Sequence, residues 1–104
     1  MAAFLISDVS VRNIEALQTY RTRAADSIVK YGGRYLARGG EVQTLEGTWS
    51  PQTIIIVEFP SLEQARTWYR SPEYASALEM RDAALSRHLI LVDGISEHAS
   101  TKEC

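Results

Sequence analysis

Residues Ala3 to Val11 are rich in β-branched and apolar residues. Phe4, Ile6 and Asp8 fall on one side and Leu5, Ser7 and Val9 on the other, which predicts a first strand. After Asn13 the period changes to three and four. Ile14, Leu17, Tyr20, Ala24, Ile28 and Tyr31 then share one stripe, which predicts a long helix capped by Asn13 and ended by Gly32 and Gly33. The segment RYLARGG, residues 34–40, predicts a second strand with Arg34, Leu36 and Arg38 on one face and Tyr35 and Ala37 on the other. EVQTLEGTWSP, residues 41–51, reads as a connection punctuated by Gly47 and Pro51, with room for a short hairpin. Thr53 to Phe59, TIIIVEF, predicts a third strand so apolar that both of its faces are expected to be covered.

Pro60 stops that strand, and Ser61 with Gln64 forms a capping box that opens a helix through Ala65, Trp68 and Tyr69. Ser71 and Pro72 restart helix, with Tyr74, Leu78, Arg81 and Leu85 on one face. His88 to Ile95 predicts the last strand, and residues 96–104, SEHASTKEC, a polar tail expected to be disordered. Strand, helix, strand, strand, helix, strand is the βαββαβ order of a ferredoxin-like α+β domain over residues 1–95, with an antiparallel sheet and its helices on one face. The other face is then bare. Yet Ile54 and Ile56 point opposite to Ile55 and Val57, and Leu89 and Leu91 opposite to Ile90 and Val92, so both faces are apolar. Monomers rarely expose more than a few hundred Å² of contiguous apolar surface, and about 800 Å² per partner is a normal interface. A homodimer packed sheet on sheet is the expected resolution.

Composition narrows the partners. The chain has 104 residues, enough for one domain, with thirteen acidic and eleven basic residues scattered along it and a net charge of −2. That balance argues against nucleic acid and against an anionic membrane surface. The unbroken apolar run Ile54 to Val57 is too short to span a bilayer. The N-terminus lacks both the basic start and the long apolar stretch of a signal peptide, so a soluble cytoplasmic protein is expected. The single cysteine, Cys104, is the last residue; it permits no internal disulfide, and a frayed end is a poor place for a nucleophile.

Chemistry enters where polar residues interrupt the apolar faces. Glu58 shares a face with Ile54 and Ile56, where an ionised carboxylate costs several kcal/mol unless a cation meets it. Arg38 and Arg34 are the available cations, on the neighbouring strand. Three readings stay open. Arg38 and Glu58 form a cross-strand or dimer-interface ion pair; or the pair, or its arginine alone, lines a small-molecule pocket where the guanidinium takes a carboxylate or phenolate bidentately; or strand register places both in solvent. Gly39 and Gly40 suit either a close backbone approach to a ligand or a plain turn, and no phosphate-loop pattern occurs. Trp68, Tyr69 and Tyr74, with Trp49, suit an aromatic wall, although helical spacing equally places Trp68 and Tyr69 in a core. Arg81 reaches a site or only covers its helix with its stem. His88 and His98 have no ligand-spaced partners, so neither a metal nor another cofactor is expected. Any reaction would be cofactor-free proton transfer, with Glu58, Asp8, Asp93 or His88 as base and Arg38 as electrostatic stabiliser.

YGGRYLARGGEVQTLEG, then VEFPSLEQARTWYRSPEY and LILVDGI, resemble the domain-of-unknown-function 1330 family, over about Ala3 to Ile95. The resemblance implies a dimeric α+β barrel in which two ferredoxin-like units pack their sheets together. It carries no activity. Families similar in fold include cofactor-free monooxygenases, muconolactone isomerases and stress-responsive barrel proteins, and fold does not fix function. Carried over by motif, the positions of interest are Arg38, Gly39, Gly40, Glu58, Trp68, Tyr69, Ser71, Pro72, Tyr74 and Arg81, of which Ser71 and Pro72 are already explained by capping. The expectation is a homodimer that binds a small anionic or aromatic metabolite between sheet and helices, with or without turnover. The alternative is a purely structural dimer.

Overall fold

A computed structural model describes residues 1–95; the tail expected to be disordered, with His98 and Cys104, lies outside the described residues. The four expected strands form, as β1 (Ala3–Val11), β2 (Arg34–Arg38), β3 (Thr53–Phe59) and β4 (Leu85–Asp93). They make one antiparallel sheet in the order β2-β3-β1-β4. Helix α1 (Ile14–Lys30) begins at Asn13, whose side chain accepts a hydrogen bond from the Ala16 N–H. Gly32, at φ +87°, turns the chain out of α1, and Gly33 N–H closes on the Ile28 carbonyl at 2.8 Å. The second crossover is two helices. α2 (Leu62–Tyr69) is capped by Ser61 and α3 (Pro72–Ala84) by Ser71, with Pro72 at the first turn as the sequence signals. The fold is the expected ferredoxin-like α+β arrangement.

Three boundaries differ from expectation. β4 starts at Leu85, directly after α3, and stops at Asp93, because Leu85 belongs to the buried row of the strand rather than to the helix face. No hairpin forms between β2 and β3: residues 39–52 run without strand pairing, held by Thr44 Oγ1 on the Trp49 carbonyl at 2.8 Å and by Trp49 Nε1 on Asp8 Oδ2 at 3.0 Å. β2 also carries a bulge. Arg34 pairs with Glu58 and Tyr35 with Val57, but Ala37 pairs with Ile56 and Arg38 with Ile55, so Leu36 is an extra residue.

The helices cover one face, where Leu5, Val9, Val57, Phe59 and Leu85 meet Leu17, Tyr20, Ala24 and Ile28 of α1, Ala65 and Trp68 of α2, and Tyr74, Ala77 and Ala84 of α3. The opposite face carries Phe4, Ile6, Ile54 and Ile56 half-buried, with Ile90 and Val92 exposed. α1 and α3 are tied at one end by Glu73, which accepts from Lys30 Nζ at 2.5 Å and from the Tyr31 hydroxyl at 2.8 Å. These bonds lower the Glu73 pKa from its usual 4.5 to about 2. A carboxylate with a depressed folded pKa stabilises fully above its unfolded value and loses that contribution as pH falls through the folded one. Stability is therefore expected to decline between pH 4.5 and about 2 in wild type, and Glu73→Gln is expected to flatten that limb of a pH series of urea midpoints.

Candidate functional site

The bulge at Leu36 decides where the arginines go. Side chains alternate along a strand, so one extra residue flips everything after it to the other face. Arg34 stays on the bare face and forms the ion pair with Glu58, Nε to Oε1 at 2.7 Å. Arg38 is turned to the helix side, where its guanidinium lies 4.3 Å from the ring centre of Tyr35. The expected Arg38–Glu58 pair therefore does not form. Glu58 faces away from Arg38, and the two cannot act on one ligand within a single chain.

Register then sets what Arg38 faces. Arg38 pairs with Ile55, Ile55 with Ser7, and Ser7 with Leu89, so these four stand in one row across the helix-covered face. Between this row and α1 lies a cleft of about 40 Å³. Arg21 and Arg38, both exposed, stand at its open side, while Ser7, Tyr20, Tyr35 and Arg87 line it with aliphatic groups and Trp68. Three guanidinium groups thus line the cleft with no carboxylate among its described lining residues.

At its inner end Arg87 holds two phenols. Nη1 donates to the Tyr20 hydroxyl at 2.5 Å, Nη2 donates to the Tyr74 hydroxyl, and the two hydroxyls share a bond of 2.9 Å. Burial raises the pKa of Tyr20, with Tyr74 adding to that rise and Arg87 opposing it, so the phenol keeps its proton. Burial likewise raises that of Tyr35 against the opposing charge of Arg38. For Arg87 burial works against the charge, the phenol oxygens outweigh it, and the guanidinium stays protonated. Ser7 Oγ is buried with no hydrogen-bond partner among the described residues. A buried polar atom in that condition calls for an explanation, and here it stands on the cleft wall.

The other expected site residues scatter. Trp68 is 1% exposed, packs against Tyr74 at 4.2 Å and Phe59 at 5.4 Å between ring centres, and donates from Nε1 to Ser27 Oγ at 2.9 Å; it is a core residue that also lines the cleft. Tyr74 is fully buried and reaches the site through its hydroxyl alone. Tyr69 is exposed and borders a different, open groove of about 240 Å³ between α2 and β4, with Arg66 and Arg70 at its rim. That groove is larger, but none of its lining side chains has a buried polar atom left unpaired. Gly39 adopts φ +79° and, like Gly40, has nothing within 4 Å of a Cβ position, which is turn geometry. Arg81 pairs with its neighbour Asp82 at 3.3 Å, outside the cleft.

Of the candidate bases, Asp8 and His88 oppose each other on the bare face and Asp93 is exposed at the end of β4; none lines the cleft. Among the described residues no three His, Cys, Asp or Glu side chains are grouped to hold a metal, and no helix is long and apolar enough to cross a membrane. Ser7, Tyr20 and Arg87 were not singled out from the sequence. Tyr20 read as one more apolar helical position. Arg87 precedes the predicted strand, which begins at His88, although counting back by twos from Leu91 and Leu89 puts it on the helix-covered face.

Residues 2–95 match the family model described as Domain of unknown function (DUF1330). No curated protein matches the chain. Among solved structures it is similar to a protein of unknown function from Rhodopseudomonas palustris, with a TM-score of 0.74 and 21% identity over 91% of this chain and 83% of that one. It is also similar to SnoaB, a cofactor-independent oxygenase from Streptomyces nogalater, with a TM-score of 0.65 and 10% identity over 95% of this chain and 98% of that one. A dimeric protein of unknown function and ferredoxin-like fold from Bacteroides fragilis follows at a TM-score of 0.52 and 15% identity, over 89% and 96% of the two chains. At these identities the similarity is one of fold.

Proposed function

The chain belongs to the DUF1330 family, which brings a fold and no activity, and from the cleft itself we propose that the protein binds a small anionic metabolite between its sheet and helices. The observation that supports this reading is the charge of the cleft: Arg21, Arg38 and Arg87 line it and no described acid does. Holding Arg87 partly withdrawn from water, with no acid beside it among the described residues, is costly, and a bound anion relieves that cost. In this reading Arg38 is the residue of the mouth that captures the ligand, and Glu58 belongs to the surface on the far side of the sheet. Binding is the primary role. No carboxylate or histidine is among the described residues that line the cleft, so proton transfer there would run through the phenols of Tyr20 or Tyr74, and the oxygenase with a similar fold supplies only an analogy.

The partner in this reading is a second copy of the chain, seated on the bare sheet face. Phe4, Ile6, Ile54, Ile56, Ile90 and Val92 form an apolar surface there, with the Arg34–Glu58 pair and Asp8 at its polar margins. The Bacteroides fragilis protein of similar fold is dimeric, which supports a two-chain assembly for this fold.

The test is a thermal-shift screen of wild type and Arg38→Ala against small carboxylates and phenols. A compound at about 100 times its dissociation constant adds roughly 2.7 kcal/mol, a shift of several degrees for a domain of this size. At least one anionic compound is expected to stabilise wild type and to lose most of that effect in the folded variant. Equal shifts in both proteins, or none in either, would remove Arg38 from any binding role.

A further inference from the structure

We propose that the inner end of the cleft is a seat for a single carboxylate, held by Arg87 and Ser7, so that the ligand is a small monocarboxylic acid. This rests on the reading of the cleft as a small-anion site. A count of donors carries it. Arg87 gives one N–H to each phenol, and a guanidinium has five. The two phenols own two protons, and the bond between their hydroxyls uses one of them. The hydroxyl of Ser7 donates to nothing among the described residues. What the inner cleft has in surplus is therefore donors, beside a positive charge, and what completes it is a group that only accepts. A carboxylate accepts at both oxygens and carries the missing charge.

Position and size agree. Val9 pairs with Arg87 and Ser7 with Leu89, so Ser7 and Arg87 are diagonal neighbours on one face, about 7–8 Å apart at Cα, and both line the same cleft. A cleft of about 40 Å³ takes a carboxylate with a short chain. It is far below the roughly 300–1,000 Å³ of pockets that enclose drug-sized ligands, so a larger body would have to extend outward past Arg38.

Calorimetric titration of the full-length protein with acetate, propionate and pyruvate tests this, with acetamide and propionamide as neutral isosteres and with phenol and inorganic phosphate as other chemistries. The acids are expected to bind wild type and the amides not. Arg87→Met is expected to abolish binding. Ser7→Ala removes a hydroxyl with no partner, so it should fold as wild type does, while its affinity for the acids falls by about tenfold. If Arg87→Met does not fold, Ser7→Ala decides alone. Amides that bind as well as acids, or a Ser7→Ala protein that binds acids unchanged, would overturn the proposal. Phenol or phosphate binding that needs Arg38, with the acids inert, would also overturn it while leaving the anion-binding cleft standing; failure of every compound would remove both.

Discussion

Replacing Trp68 with alanine is expected to cost about 3–5 kcal/mol of folding stability, the range for removing a large aromatic side chain from a packed core. Trp68 of α2 ties three other elements of that core together. Its ring touches Phe59 of β3 and Tyr74 of α3, and its indole N–H is satisfied by Ser27 of α1, whose own hydroxyl donates to the Ala24 carbonyl at 2.7 Å. Alanine therefore leaves a void and an unpaired acceptor together. The result also bears on function, because an aromatic wall that waits for a ligand is not packed on every side. Urea unfolding of the variant measures the difference directly. A loss below about 1 kcal/mol would show that the ring is dispensable to the core and would return it to the candidate ligand wall.

The second large effect is expected at Ile56. A second copy on the bare sheet face brings this half-buried isoleucine into a dry, symmetric interface, so Ile56→Asp introduces two carboxylates per dimer among Ile6, Ile54 and Phe4. Each costs several kcal/mol unless it is paired. At micromolar concentration light scattering is expected to give twice the chain mass for wild type and the single-chain mass for the variant. A face that stays in water predicts something different: a wild-type monomer, and a substitution worth little because solvent reaches the new charge. A monomeric wild type would leave that apolar surface without an occupant.

Much of the architecture was legible because its causes are local. Asn13, Ser61 and Ser71 are caps in sequence and caps in structure, Pro72 starts α3, and the two periodicities separate strands from helices. The site was less legible, and the reason is one residue. Period-two reading puts Arg34 and Arg38 on the same face, and it is right until Leu36 is inserted as a bulge. Nothing in RYLARGG marks that insertion, since it is set by how β2 fits against β3. The result exchanged the partner of Glu58 from Arg38 to Arg34 and sent Arg38 into the cleft. The remaining members come from three separate elements, Ser7 on β1, Tyr20 on α1 and Arg87 on β4. Sheet register and the packing of α1 on the sheet bring them together, so no motif of neighbouring residues announces them.

The most direct test of an anion-binding cleft is to locate the ligand by nuclear magnetic resonance, titrating the ¹⁵N-labelled full-length chain with a small carboxylate such as propionate. Amide shifts are expected to concentrate at Ser7, Tyr20, Tyr35, Arg38 and Arg87, and to saturate together. Shifts confined to Arg66, Tyr69, Arg70 and Ile90 would place the ligand in the open groove between α2 and β4 instead, and contradict the assignment of the cleft.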